Sequence, residues 1–325
     1  MDLPTHDDVR HAAVRIAPHV VRTPMLRSAA LDRATGASVL IKPEPLQRTG
    51  SFKLRGATNA IRALPDAVRR AGVVTHSSGN HGQAVACAAA ALGIAATVFM
   101  PADAPAIKRA GTEAWGATVR PYDRRHDDRE ALSAGHAAAT GQSLIPPFDH
   151  RDVIAGQGTA ALELIEDARA AGLTLDVLLV CTGGGGLVAG SALAAAGASP
   201  GTRVHAVEPE GADDTTRSLA AGERLSNPPG GATLCDALLA PMPGVLTFAI
   251  NRTHLAGGLV VTEAEVLAAM GFAFRHLKIV AEPGGAVALA ALLAGRLAVR
   301  GQVVGVIISG GNVDPAVFAR GLATA

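Results

Sequence analysis

Residues 177–196 read VLLVCTGGGGLVAGSALAAA, and this stretch decides the fold. Val177 to Cys181 is apolar throughout instead of alternating, the pattern of a strand covered on both faces in the middle of a parallel sheet. Gly183, Gly184, Gly185 and Gly186 follow, and an Ala-rich helical run begins at once. Four glycines between a strand and a helix let backbone N–H groups converge at the positive helix end, where a phosphate is held. A flexible linker does not join a wholly apolar strand straight to a helix, so the glycines read as an anion cradle.

The same alternation runs outward in both directions. SVLIK, GVVTH, AATVFM, ATVRPY, RVHAV and VVGVII are further strand candidates, each followed by an Ala/Leu-rich helical stretch. Strands alternating with helices mean a parallel α/β protein. Thr262-Glu263-Ala264-Glu265 is a capping box opening a helix whose core stripe is Val266, Met270, Ala273 and Leu277. The 325 residues slightly exceed one comfortable core. Two α/β lobes sharing a cleft follow, with Pro146-Pro147 as the break and Ser226–Gly231 as an irregular surface loop. We place residues 1–65 and 148–325 in a larger lobe and 66–147 in a smaller one.

Composition narrows the function. With 49% hydrophobic residues the chain buries its own core, and 29 Lys+Arg against 28 Asp+Glu leave a charge of +1. No basic run offers phosphate-backbone affinity, so nucleic acid is not expected. Cys87, Cys181 and Cys235 are an odd number without CxxC spacing, which points to a reducing compartment and no structural zinc. The start MDLPTHDDVRH lacks the basic-then-apolar order of a signal peptide. The apolar run Ala84–Met100 is broken by Gly93, so no membrane span is expected and the protein is placed in the cytoplasm.

Gly184 to Ala189 also fits GxGxxA, and Glu208 ends the next strand roughly 20 residues on, where a ribose would be held. An NAD-binding oxidoreductase is therefore a rival and stays a distant alternative, against which three other segments weigh. Thr49-Gly50-Ser51-Phe52-Lys53-Leu54-Arg55-Gly56-Ala57 puts a lysine at the start of a helical run. Thr75-His76-Ser77-Ser78-Gly79-Asn80-His81-Gly82-Gln83 again lies between a strand and a helix and forms a second anion cradle. Val306 to Asp314 places Ser309 where a core strand ends, and strand carboxyl ends are where α/β sheets bind ligands.

SFKLRGA, SSGNHGQA, GGGG, EPGGA and SGGN, in that order and spacing, resemble the fold type II pyridoxal-phosphate (PLP) enzymes, specifically the threonine/serine dehydratase and serine racemase group. The resemblance covers nearly the whole chain. It implies that Lys53 bonds covalently to PLP and takes the substrate Cα proton. It further implies that Gly183–Gly186 and the N–H of Leu187 cradle the phosphate, Asn80 meets the ring oxygen, and Ser309 faces the pyridine nitrogen. Phe52 and Glu282 lie near the ring, and Ser77, Ser78, Asn80 and His81 hold the substrate carboxylate. Glu208-Pro209-Glu210-Gly211-Ala212-Asp213-Asp214 resembles the family's divalent-cation loop, with Glu208, the Ala212 carbonyl and Asp214 as ligands for magnesium or calcium. Cys235-Asp236-Ala237 stands where much of the family has Ala-Asp-Gly, a departure that bears on the substrate.

The expected activity is β-elimination of threonine or serine to a 2-oxo acid and ammonia. A serine hydroxyl at Ser309 does not hold the pyridine nitrogen protonated as a carboxylate does, which favours prompt loss of a β leaving group. Alternatives are a serine or aspartate-type racemase, with Ser78 as the second proton carrier, and a 3-hydroxyaspartate dehydratase. The family implies a homodimer. The chain ends 11 residues (325 − 314) beyond Asp314, so no regulatory domain and no isoleucine response are expected.

Overall fold

A computed structural model describes residues 2–77, 79–104, 106–228 and 233–324. All seven strand candidates form: β1 (Ser38–Pro43), β2 (Val73–His76), β3 (Ala96–Pro101), β4 (Thr118–Tyr122), β6 (Val177–Cys181), β7 (Arg203–Pro209) and β9 (Val303–Ile308). Two strands have no clear sequence signal. β5 (Ser143–Leu144) is two residues long, and β8 (Gly257–Val261) opens with two glycines and is only half-buried.

The strands make two parallel sheets, a larger one ordered β1-β9-β6-β7-β8 and a smaller one ordered β4-β3-β2-β5. The uniformly apolar strands β6 and β9 lie inside the larger sheet, and buried residues pack on both its faces. The smaller sheet has its own apolar cluster around Val73, Val98 and Met100, packed by helices Lys53–Ala63 and Asn80–Ala90. The capping box is formed by Thr262 and Glu265, and Val266, Met270, Ala273 and Leu277 are all buried. That helix closes in a π-turn, Ala273–Leu277.

Parallel strands put their carboxyl ends on one side of each sheet, and the segments leaving both sets of ends line one cleft. His76 ends β2 and Ser77, Gly79, Asn80 and His81 follow it, Lys108 follows β3, Arg129 follows β4 and Pro147-Phe148 follow β5. From the larger sheet come the glycine run after β6 and Ser309 after β9. No helix among the described residues is long and apolar enough to cross a membrane.

Candidate active site

The cleft, about 970 Å³ including its open mouth, gathers Phe52, Lys53, Asn80, Gly183–Leu187, Glu282 and Ser309. Lys53 begins the helix Lys53–Ala63, and its Nζ donates to the Pro147 carbonyl at 2.7 Å and stands 5.2 Å from the Phe52 ring centroid. Burial lowers its pKa to about 8, with Glu282 opposing the shift. An amine so poised loses its proton near neutrality, as a covalent anchor and a base both require.

The glycine run is a built cradle. The N–H groups of Gly183 through Leu187 donate to no acceptor among the described residues, and the helix Gly186–Ala198 adds its positive end. Gly185 takes φ +90°, and a Cβ on it would press on Asn251 and Thr247. A Cβ on Gly184 would collide with the Phe148 ring. The loop is braced from behind, since Thr247 Oγ1 donates to the Gly184 carbonyl at 2.8 Å. Asp149 in turn accepts from the N–H groups of Val245, Leu246 and Thr247 at 2.8–3.2 Å.

Opposite the cradle, Asn80 donates to Glu282 Oε1 at 2.6 Å. Glu282 is buried, its Oε2 has no partner among the described residues, and burial raises its pKa to about 7. His81 is held by the Ile145 carbonyl at 3.0 Å. A carbonyl only accepts, so Nε2 carries the proton. Burial lowers the His81 pKa to about 3 and keeps the ring neutral, leaving Nδ1 without a partner among the described residues. Ser77 Oγ accepts from Gly79 N at 3.1 Å. Ser78, expected to be a substrate and proton-transfer group, lies outside the described residues, as does part of the surface loop at 226–231.

Two charged cleft residues were not singled out from the sequence. Lys108 pairs with Asp236 across the mouth. Arg129, half-buried, makes no hydrogen bond or ion pair among the described residues and faces the cleft with His76 and Ser77. Its setting, YDRRHDDRE, reads as a solvated charged turn, and only the geometry shows which of its arginines turns inward. Cys235 is wholly buried behind Asp236 and Ala237, and burial pushes its thiol up to about 12.

The cation loop is built differently from expectation. Glu208 ends β7, but its oxygens accept from Thr215 N at 3.0 Å, Thr216 N at 2.7 Å and Thr216 Oγ1 at 2.7 Å. It caps the helix Asp214–Ala221. This also removes the nicotinamide reading, because Glu208 turns to that helix end and not to a ribose beside the glycines. Asp214 accepts from Asn227 at 2.6 Å, and its Oδ2 is buried without a partner among the described residues. Among the described residues no cluster of three or more His, Cys, Asp or Glu forms a metal site. The set Glu208, Ala212 and Asp214 is thus no preassembled metal centre, since helix N–H groups already satisfy Glu208.

Behind the lysine helix lies a second charged cluster. Arg55 is fully buried and binds Glu44 through Nε at 2.8 Å and Glu163 through Nη1 at 2.7 Å. Lys42, also fully buried, meets Glu163 at 2.6 Å and the Thr23 carbonyl at 2.6 Å.

Residues 16–310 match the family described as pyridoxal-phosphate dependent enzyme. The chain is 46% identical over 316 residues to an L-threo-3-hydroxyaspartate ammonia-lyase of Pseudomonas sp, covering 97% of each. It is 43% identical to a serine racemase of Schizosaccharomyces pombe, over 96% of this chain and 95% of the relative. Among solved structures, a threonine deaminase of T.th. superposes with TM-score 0.90 at 43% identity, over 96% of this chain and 99% of that one. The cleft lysine, the glycine cradle at a helix end and the two parallel sheets around one cleft agree with these likenesses, and the chain belongs to the pyridoxal-phosphate dependent enzymes of fold type II.

Proposed function

We propose that this protein is a PLP-dependent ammonia-lyase acting by β-elimination on a β-hydroxy amino acid with a second carboxylate, the 3-hydroxyaspartate class. Threonine and serine, the first expectation from the sequence, become secondary substrates. Arg129 carries this reading: a guanidinium without a carboxylate partner among the described residues, at the substrate side of the cleft, suits a dicarboxylic substrate, whereas threonine has no second carboxylate to offer it. The 46% identity to a hydroxyaspartate ammonia-lyase supports it.

The residues fit the cofactor. Unpaired N–H groups from Gly183 to Leu187 would hold its phosphate, Lys53 its carbonyl carbon, Asn80 its ring oxygen and Ser309 its pyridine nitrogen, with Phe52 and Glu282 alongside. PLP supplies the electron sink that makes the Cα proton acidic. Lys53 Nζ takes that proton, held in place by the Pro147 carbonyl. Ser77, Ser78 and the backbone N–H groups of Asn80 and His81 receive the α-carboxylate at the start of helix Asn80–Ala90, and Arg129 receives the distal one. Racemisation with Ser78 as second proton carrier is the competing outcome, supported by the serine racemase relatives. We further propose the lobes 1–65 with 148–325 and 66–147, a homodimer, and a divalent cation at Glu208, the Ala212 carbonyl and Asp214, for which the unpaired Asp214 Oδ2 is the support.

The test is a panel of L-threo-3-hydroxyaspartate, L-threonine and L-serine with separate detection of oxo acid and D-enantiomer. Arg129→Met should lower kcat/KM for hydroxyaspartate about 100-fold, the loss of one charge-assisted contact of about 2–3 kcal/mol, and change serine turnover little. A wild type that prefers threonine, or equal losses on all three substrates, contradicts the assignment.

A further inference from the structure

We propose that Asn312 is a positioning residue that fixes which end of the Asn80 amide faces the cofactor pocket. The inference rests on the PLP reading above and concerns a residue that does not line the cleft itself. Asn312 Nδ2 donates to the Thr49 carbonyl at 2.8 Å and to Asn80 Oδ1 at 2.8 Å. The Thr49 carbonyl belongs to the backbone, accepts only, and has no way to turn round. The Asn312 end that faces it must therefore be the NH2 group. The second proton of that NH2 goes to Asn80, so the Asn80 end facing Asn312 must be oxygen. The NH2 of Asn80 is thereby turned to the cleft, where one proton goes to Glu282 Oε1 at 2.6 Å. The other remains for the ring oxygen of PLP.

Reversing either amide sets two NH2 groups or two oxygens against each other, so one backbone carbonyl sets the polarity of the whole chain Thr49–Asn312–Asn80. A permanent donor at the ring oxygen favours its deprotonated form, because the charged oxygen is the better acceptor. The seam holding Asn312 is rigid. Gly50 takes φ +70°, and a Cβ on it would collide with Asn312 Oδ1, so only glycine admits the amide. Gly311 N donates to the Gly50 carbonyl at 2.9 Å, and Phe52 N donates to the Ser309 carbonyl at 3.0 Å. Residues 49–52 and 309–312 thus share one seam that ends at Lys53, so the lysine and the ring-oxygen donor are placed by the same backbone.

The experiment compares wild type, Asn312→Asp, Asn80→Ala and the double variant, each stripped of PLP and titrated with it. Readouts are the PLP dissociation constant, the absorption spectrum of the bound cofactor against pH, and the melting temperature. In Asn312→Asp the carboxylate accepts where the NH2 donated, so Asn80 turns its NH2 toward it and its carbonyl toward the ring oxygen. PLP should bind about tenfold more weakly, as for one hydrogen bond replaced by a repulsive contact, and the visible band should give way to the near-ultraviolet form at higher pH than in wild type. In the Asn80→Ala background the same substitution should have no further effect on affinity or spectrum. An Asn312→Asp protein with wild-type affinity and spectrum overturns the proposal, and so do losses that add in full in the double variant. A wild type that shows no visible band with PLP overturns the cofactor reading instead, which separates the two failures.

Discussion

The helix Lys53–Ala63 joins two buried charged regions that are built in opposite ways. On its inner side Arg55, Glu44, Glu163 and Lys42 form a closed set of two cations and two anions, with every guanidinium nitrogen given a partner. Two residues earlier Lys53 faces the cleft with a single carbonyl partner, next to a Glu282 oxygen, a His81 nitrogen and an Arg129 guanidinium that have none among the described residues. Burial costs both regions solvation; only the inner one recovers it within the protein. Groups left unpaired in a cleft have a ligand still to meet, and the closed cluster holds the helix that presents them.

Removing the open side's one covalent group should have the largest effect. Lys53→Ala takes away anchor and base together, so turnover falls to background and the visible absorbance of bound PLP disappears, while the melting temperature of the stripped protein stays near wild type. A variant that still eliminates at an appreciable rate contradicts the role given to Lys53.

Breaking the closed side should act on stability instead. Arg55→Leu strands Glu44 as a buried carboxylate without a cation and leaves Glu163 with Lys42 alone, a loss of about 3–5 kcal/mol for one partner of a buried pair. Denaturant unfolding should show it directly, and the surviving folded fraction should keep most of its turnover per molecule. Full stability in Arg55→Leu would mean that water reaches the cluster.

The two regions also differ in how legible they were. The glycine run, Asn80 and Ser309 follow strand ends in short runs whose local pattern marks them, Lys53 and Glu282 are legible only through the family resemblance, and all line the cleft. β6 and β9 announced themselves by unbroken apolar runs, whereas edge strand β8 begins with two glycines and has no such run. Arg129 was missed because a cation in a charged turn carries no directional signal; its inward aim comes from the smaller sheet. The Arg55 cluster is equally silent in the sequence, since its members are 11 to 108 positions away from Arg55 and meet only on folding. Glu208 was read as a ligand from its neighbours in sequence, while in space its nearest partners are N–H groups of the following helix turn.

A milder perturbation of the open side is pH. Burial holds the Lys53 pKa near 8, so below that value the neutral amine fraction, and with it the rate of covalent PLP capture by the stripped enzyme, should rise about tenfold per pH unit. The rate should level off above pH 8, where an ordinary lysine would continue upward to about 10.4. Stopped-flow absorbance across pH 6–10.5 reads the bend directly, and a rate still climbing at the alkaline end would mean that Lys53 is solvated like a surface lysine.

The smallest effect tests a third buried region, the carboxylates Glu208 and Asp214, which stands between the two extremes. Burial pushes Glu208 up to about 8 and Asp214 up to about 6, and the pair has helix N–H groups and Asn227 as partners but, among the described residues, no cationic side chain on the Glu208 carboxylate. Asp214 Oδ2 is the group that none of them satisfies. A divalent cation there would replace the missing partner, and binding only to the folded state would raise stability by about 1–3 kcal/mol at a ligand concentration well above its dissociation constant. Chelator should then lower the melting temperature by a few degrees, on the order of 2–4 °C per kcal/mol for a chain somewhat shorter than this one. Magnesium or calcium should restore it, and Asp214→Asn should remove the response while leaving the cap on the helix Asp214–Ala221 to Glu208. Identical melting of wild type and Asp214→Asn, with and without chelator, would make this pair a helix cap and nothing more, closed by the backbone as the Arg55 cluster is closed by side chains.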